Sequence, residues 1–191
     1  MSKRDKGLMD RLMQLIVETG ALQFGEFTLS SGAKSSYYFD GRKVSFHPEG
    51  AYVLGQLIYE ALEGSGAQAV GGLTLGADPL AVGTGVVSHL KGHPMYVFSV
   101  RKEQKEHGTG RQIEGSLPEG SGIKVAIMED AITSGASAAR AIAAVEEAGC
   151  KVVKVVTMVD RMQGGAEMLR GKGYDVMALL ELDKTGKLRP A

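Results

Sequence analysis

The chain has 191 residues, of which 43% are hydrophobic and 23% charged, and its 22 basic and 22 acidic side chains give a formal net charge of zero. This balance is typical of one globular domain with a substantial core, so we expect residues 1–191 to form a single domain. Zero net charge argues against nucleic acid as the main partner, because nucleic-acid binding requires cations to neutralise phosphates. Cys150 is the only cysteine, which excludes an internal disulfide and suits a reducing, cytoplasmic compartment.

The N-terminal segment predicts a helix over about residues 5–19. Its apolar residues are interrupted by Asp10, Arg11, Gln14 and Glu18, whereas a secretory signal needs an unbroken apolar run. No stretch approaches the roughly 20 apolar residues of a membrane span, so we expect no membrane partner. Residues 1–45 do not share the pattern of the later chain, and we expect them to form a helix and a small cap at one sheet edge.

From residue 68 onward, apolar runs alternate with helix-like patterns. The runs are often apolar at consecutive positions, which is typical of strands that are covered on both faces in a parallel sheet. Strand–helix alternation therefore predicts an α/β fold, with an open, mostly parallel twisted sheet flanked by helices. The predicted strands are Ala69–Leu73, Met95–Val100, Lys124–Met128, Val152–Val159 and Asp175–Leu182.

Helical spacing separates these strands. One apolar face runs from Leu54 to Leu62, with Pro48 near the predicted helix start. Another helix is expected to begin near Asp78-Pro79. A third covers the segment around Ala138 to Val145 and is closed by Gly149.

The turn at residues 129–137 carries the sharpest chemical signal. Thr133, Ser134, Gly135, Ala136 and Ser137 stand where a helix should begin, and ligands of open α/β sheets bind beyond the carboxyl ends of the strands. Free backbone N–H groups at a helix start form an anion site, to which hydroxyl groups add donors. The alternative interpretation is an ordinary turn with a Ser or Thr helix cap.

Two acids, Glu129 and Asp130, directly precede this turn. Acids beside an anion site would repel a simple phosphate, but carboxylates accept hydrogen bonds from neighbouring ribose hydroxyls. They could also favour positive charge that develops on a sugar ring. The turn and the acids together predict a site for a ribose phosphate.

Residues 101–122 join two predicted strands without helical periodicity. Loops of this length are uncommon in compact domains and often act as lids. Cations and one histidine are concentrated in it, which suits a pyrophosphate group, whereas the alternative is a solvated charged loop. These residues are Arg101, Lys102, Lys105, His107 and Arg111.

The segment Val125–Ser137 resembles the signature of type I phosphoribosyltransferases. Within that family, residues 25–32, 35–40 and 101–108 and the pair Asp160-Arg161 are similar to motifs of the orotate-specific members. The resemblance covers about residues 8–182. It implies phosphoribosyl transfer from phosphoribosyl pyrophosphate (PRPP) to orotate, and a homodimer whose mobile loop, about residues 101–113, acts across subunits.

The resemblance also implies roles for individual residues. Lys105, His107 and Asp130 would be catalytic, and Mg²⁺ would be carried by PRPP without dedicated protein ligands. Orotate would contact Tyr38, Phe39, Thr133 and Arg161. The residues that would bind PRPP are Arg101, Lys102, Lys105, His107, Glu129, Asp130, Thr133, Ser134, Gly135, Ala136 and Ser137.

Three positions depart from the family pattern. Many bacterial relatives carry lysine in place of Ser30 and arginine in place of Ala33, and lysine is common in place of Asp78. Lys34 or Arg42 could supply the missing charge. Two alternatives therefore stay open: a phosphoribosyltransferase for a purine or uracil, and a regulator that binds PRPP without catalysis.

Overall fold

The structure is a computed structural model that describes residues 3–28, 32, 34–103, 112–118 and 120–191. Helices and strands alternate through most of this part of the chain. In chain order they are α1 (Lys3–Glu18), β1 (Leu22–Thr28), β2 (Lys34–Phe39), α2 (Arg42–Ser45), α3 (Pro48–Leu62), β3 (Ala69–Leu73), α4 (Ala77–Leu90), β4 (Tyr96–Val100), β5 (Ile113–Gly115), β6 (Lys124–Ile132), α5 (Ala136–Glu147), β7 (Lys151–Asp160), α6 (Gly165–Gly171), β8 (Val176–Leu182) and β9 (Leu188–Pro190).

The central sheet has the strand order β5-β4-β3-β6-β7-β8-β9. Its five inner strands run parallel, while β5 and β9 pair antiparallel at the two edges. The predicted open, mostly parallel sheet is thus confirmed. Strand order reverses between β3 and β6, which is the place where α/β sheets open a crevice for ligands.

Helices cover both faces of the sheet. On β3, Val70 belongs to a core shared with α1, α3 and α4, whereas Ala69 belongs to a core shared with α5 and α6. This division follows from the strand geometry, because successive side chains point to opposite faces. Burial on both faces explains why the strands are apolar at consecutive positions.

The predicted strands differ from the observed ones mainly in length. Strand β3 has the predicted bounds, but β6 continues to Ile132 because its backbone stays paired with β7 as far as Asp160. Glu129 and Asp130 therefore lie within a strand, and the prediction that they follow one is wrong. The segment 101–122 also contains a short strand, β5, which the sequence pattern did not indicate.

The predicted helices are present with small shifts. Pro48 occupies the first turn of α3, and α4 begins at Ala77. Helix α5 ends at Glu147, and Gly149 follows with a positive φ of 83°. No helix in the described ranges is long and apolar enough to cross a membrane.

Strands β1 and β2 form a separate antiparallel hairpin, in which Phe24 lies opposite Tyr37. Helix α1, in contrast, packs into the main core through Leu12, Leu15 and Ile16. The N-terminal region therefore divides into a core helix and a hairpin that stands outside the central sheet.

Candidate functional site

A cavity of about 290 Å³ opens at the point where strand order reverses. Five chain segments meet there: the end of the β1–β2 hairpin with the start of α2, the turn after β3, the segment after β4, the carboxyl end of β6, and the first turn of α5. A Cβ added at Gly76 would lie 2.6 Å from Cγ of Asp130, so the β3 turn packs directly on that carboxylate. The lining residues are Tyr38, Phe39, Asp40, Gly41, Arg42, Leu73, Thr74, Leu75, Gly76, Lys102, Glu129, Asp130, Ala131 and Ser137.

The two acids of β6 occupy different environments. Glu129 is 5% exposed, and its Oε2 atom is buried without a hydrogen-bond partner. Asp130 is half-buried, and its Oδ1 accepts a hydrogen bond of 2.9 Å from the backbone N–H of Ala131. Both carboxyl groups line the cavity, as the sequence predicts.

Burial has a direct chemical effect on Glu129. Removal from water disfavours its charged form, and the neighbouring carboxyl of Asp130 adds to the effect, so that the pKa of Glu129 is raised from 4.5 to about 8. Burial therefore favours the protonated form of Glu129 at neutral pH. A protonated carboxyl can donate a hydrogen bond as well as accept one.

The turn before α5 is an open helix N-terminus. Its cap is Gly135, at a left-handed φ of 78°, and the cap residue makes no side-chain hydrogen bond to the helix. The Ser or Thr cap considered from the sequence is thus not the one observed. Thr133, Ser134 and Ser137 are exposed, so their hydroxyls and the first helical N–H groups remain available to an anion.

Helix α6 packs against this turn through its first residue, Gly165. Gly165 donates a backbone hydrogen bond of 3.1 Å to the carbonyl oxygen of Thr133. A Cβ at Gly165 would lie 2.5 Å from that oxygen and 2.6 Å from the nitrogen of Gly135. The turn is therefore held in place by a contact that only glycine permits.

Arg161 follows β7 and is positioned by its backbone and by an aromatic ring. Its N–H donates to the carbonyl of Ile132, and its guanidinium carbon lies 5.4 Å from the centre of the Tyr37 ring. The Nε atom is buried without a hydrogen-bond partner. Arg161 makes no ion pair with a carboxylate within the described part of the chain, so its charge is free to meet an anionic ligand.

The basic segment after β4 is described only in part. Lys102 lines the cavity, and its carbonyl oxygen accepts a hydrogen bond from Arg140. Arg101 donates instead to Glu114 across the β4–β5 pair at 2.9 Å, and it is not among the lining residues. Lys105 and His107 lie outside the described residues.

Sequence reasoning gave no site role to Asp40, and it named Arg42 only as a substitute cation. Both line the cavity, and Nε of Arg42 donates to Oδ1 of Asp40 at 2.8 Å. This hydrogen bond holds the pKa of Asp40 below its usual value. Periodicity does not mark the pair, because Asp40 follows the hairpin and Arg42 begins the four-residue helix α2, too short for an apolar pattern.

The departures from the family pattern are accounted for only in part. Ser30 and Ala33 lie outside the described residues. Asp78 is in the first turn of α4, where it accepts a hydrogen bond of 2.6 Å from the hydroxyl of Ser99. Lys34 donates to the hydroxyl of Thr28, which leaves Arg42 as the substitute cation nearer to the cavity.

Comparisons with known proteins identify the relatives of this chain. It is 44% identical over 176 residues to an orotate phosphoribosyltransferase of Nostoc sp., covering 92% of this chain and 82% of that protein. It is 45% identical over 175 residues to the enzyme of the same name from Corynebacterium glutamicum, covering 92% of each. No protein-family model matches the chain.

A solved structure shares the fold. The orotate phosphoribosyltransferase of Mycobacterium tuberculosis, determined in complex with PRPP, aligns with a TM-score of 0.77 at 36% identity. The alignment covers 92% of this chain and 96% of that one.

Proposed function

Because the chain belongs to the orotate phosphoribosyltransferase family, we propose that it transfers the 5-phosphoribosyl group of PRPP to orotate, as a step of de novo pyrimidine biosynthesis. The products are orotidine 5′-phosphate and pyrophosphate. One observation carries the proposal: a single cavity brings two carboxyl groups next to a helix N-terminus that lacks a side-chain cap. Those are complementary partners for the hydroxyls and the phosphate of one pentose phosphate.

This division of the site supports a position for PRPP. The carboxyl groups of Glu129 and Asp130 receive the ribose hydroxyls, each such hydrogen bond contributing roughly 1.5–3 kcal/mol when the partner is charged. The 5′-phosphate lies on the turn from Thr133 to Ser137, where amides, hydroxyls and the dipole of α5 favour an anion. Arg101 and Lys102 begin the basic segment that contacts pyrophosphate.

We propose that orotate lies on the other side of the ribose. The unpaired guanidinium of Arg161 suits its carboxylate, because a planar guanidinium binds a carboxylate through paired hydrogen bonds. Tyr38 and Phe39 line the cavity and would flank the base. Thr133 is not among the lining residues, but its exposed hydroxyl would supply a further polar contact. These groups favour orotate over uracil and purines, which lack the carboxylate.

The reaction exchanges one bond at ribose C1 for another. Orotate N1 gives up its proton and forms the new bond as the C1–oxygen bond breaks; the electron pair of that bond leaves with pyrophosphate, which takes up the proton. Asp130 stabilises the positive charge that develops on the ring. Lys105 and His107 stabilise or protonate the leaving oxygens, so Lys105→Ala is expected to lower kcat strongly while leaving the thermal unfolding midpoint unchanged. An unaltered kcat would remove Lys105 from the mechanism.

Mg²⁺ is expected to enter with PRPP. The half-buried carboxylate of Asp130 is a hard oxygen donor of the kind that Mg²⁺ prefers. Groups of three or more acidic, histidine or cysteine side chains suited to a metal are absent from the described ranges, so oxygens of PRPP would supply most of its coordination. When bound, Mg²⁺ would neutralise phosphate charge.

Pyrophosphate release from PRPP with Mg²⁺ tests the proposal. Release is expected only when orotate is present, and not when uracil or hypoxanthine replaces it. Release with either other base would favour the corresponding phosphoribosyltransferase. Binding of PRPP without release in the presence of any base would favour the non-catalytic regulator.

We also propose that the chain forms a homodimer through an apolar face of α2, α3 and α4. A groove of about 400 Å³ lies on this face and has almost no polar lining. Phe46, Tyr52, Val82 and Val86 are each more than half exposed there. Contiguous apolar surface of this kind is typical of protein interfaces, and a second copy brings a matching uncharged face.

The expected cytoplasmic location stays a prediction.

Sedimentation of a charged variant tests this face. Val86→Glu places a carboxylate in the groove and is expected to yield monomers. Val17→Glu, at a strongly exposed position on α1 outside the groove, is the matched control and should leave the dimer intact. Equal sedimentation of both variants and the unmodified protein would refute the assigned face.

Co-expression of two inactive variants tests whether the loop acts across subunits. In a mixed dimer of Lys105→Ala and Arg161→Ala, one site combines an intact loop with an intact pocket only if the loop crosses to the partner. Random pairing then restores about a quarter of the original activity, because about half of the dimers are mixed. No recovery would show that the loop serves its own subunit.

A further inference from the structure

The orientation of Arg161 depends on an aromatic ring rather than on a hydrogen-bonded partner. Long side chains lose considerable rotamer freedom when they are fixed, so an arginine without an ion pair needs some other support. The ring of Tyr37 supplies it, at 5.4 Å from the guanidinium carbon. A cation over an aromatic face is held electrostatically without using the N–H groups that a ligand would need.

Tyr37 is itself held by packing from outside its hairpin. It is 4% exposed, whereas its cross-strand neighbour Phe24 is 68% exposed. The backbone at Gly186 lies against both rings: a Cβ added there would lie 2.8 Å from Cε1 of Phe24 and 3.0 Å from Cδ1 of Tyr37. Only glycine leaves room for this contact.

The turn that presents Gly186 is built around Asp183, between β8 and β9. Oδ1 of Asp183 accepts hydrogen bonds from the backbone N–H of Thr185 at 2.8 Å, from its hydroxyl at 2.6 Å, and from the N–H of Lys187 at 3.1 Å. Gly186, at a left-handed φ of 86°, donates its N–H to the carbonyl oxygen of Asp183. The turn is thus locally fixed before it meets the hairpin.

We propose that Gly186 and Tyr37 are positioning residues, through which the β8–β9 turn holds the guanidinium of Arg161 ready for the anionic group of the acceptor base. The inference rests on the proposed function, because Arg161 is taken as the residue that receives orotate. It adds that a turn distant in sequence sets the affinity for the acceptor. The affinity for PRPP is set elsewhere, by β6 and the start of α5.

Steady-state kinetics of Gly186→Ala, with each substrate varied in turn, tests the proposal. The new methyl group displaces Tyr37 and with it Arg161, so the KM for orotate is expected to rise roughly tenfold while the KM for PRPP stays within about twofold. Gly173→Ala is the matched control, because Gly173 has a similar left-handed φ of 92° and nothing within 4 Å of an added Cβ. It carries the backbone strain without the contact and should change neither KM.

Two variants of Tyr37 make the test independent of how well Gly186→Ala folds. Tyr37→Phe keeps the aromatic face and is expected to keep the KM for orotate, whereas Tyr37→Leu removes the face and should raise it like Gly186→Ala. Equal orotate KM values for Gly186→Ala, Tyr37→Leu and the unmodified protein overturn the positioning role alone. Absence of orotate-dependent pyrophosphate release from the unmodified protein overturns the proposed function and this inference together.

Discussion

The raised pKa of Glu129 makes the stability of the empty protein depend on pH. An unfolded chain releases the proton of this carboxyl near pH 4.5, but the folded protein keeps it until about pH 8. Between these values the folded state binds more protons, so the free energy of unfolding falls as pH rises. The contribution is largest at low pH, declines through this window and is fully lost above the folded pKa.

The size of the effect follows from the shift. One proton corresponds to about 1.36 kcal/mol per pH unit, so raising the pH from about 6 to about 7.5 should cost about 2 kcal/mol of stability through Glu129 alone. Glu129→Gln mimics the protonated carboxyl and cannot titrate. The free energy of unfolding of the variant, relative to that of the unmodified protein, should therefore rise by about 2 kcal/mol between the two pH values.

Urea unfolding at the two pH values, without ligands, measures the difference. Subtracting the variant from the unmodified protein cancels the titration of all other groups. Glu167→Gln, at an exposed position on α6, controls for the loss of one negative charge and should show no such change. If the stability difference between Glu129→Gln and the unmodified protein is the same at both pH values, the carboxyl does not carry the proton.

Two further substitutions probe the turn before α5. Ser137→Asp adds a negative charge to the first turn of α5, which should stabilise the ligand-free protein by about 0.3–1 kcal/mol in thermal unfolding. The same charge should weaken PRPP binding in calorimetry, because the carboxylate and the phosphate compete for the same helix dipole. Ala143→Asp, later on the same helix, should not weaken PRPP binding, and an equal loss of PRPP affinity in both variants would show that the phosphate does not bind at this turn. Gly165→Ala forces a methyl group against the carbonyl of Thr133 and should cost about 1–3 kcal/mol of stability and also raise the KM for PRPP. Gly171→Ala, in the same helix with open space around it, should do neither, and a KM unaffected by Gly165→Ala would show that α6 does not support the turn.

Local patterns in the sequence predict the sheet, and they predict that the two acids and the turn after them belong to one site. Burial on both faces leaves a consecutive apolar signature in β3 and β7, and Pro48 marks the start of α3 because its fixed φ suits a first helical turn. The rule that ligands bind beyond strand ends brings Glu129, Asp130 and the following turn together without any knowledge of contacts.

Features that arise from distant contacts could not be predicted in this way. The extension of β6 to Ile132 depends on pairing with β7, and the raised pKa of Glu129 depends on the burial that results. The contact of Arg161 with Tyr37 joins residues from opposite ends of the chain and leaves no periodic trace. Helix α6 was not predicted either, because the glycines at its start do not favour a helix and its packing on Gly135 leaves no pattern in the sequence.

The two acids of β6 give inhibitor design an asymmetric target. Glu129 and Asp130 both line the cavity but differ in burial, so a ligand meets two different carboxyl groups. At neutral pH the buried one bears a hydrogen, and a ligand oxygen without a hydrogen of its own, such as an ether or a ketone, can accept it. A pentose mimic with that oxygen towards Glu129 and a hydroxyl towards Asp130 would match both, while the mirrored compound would place an acceptor oxygen against the carboxylate of Asp130, which can only accept.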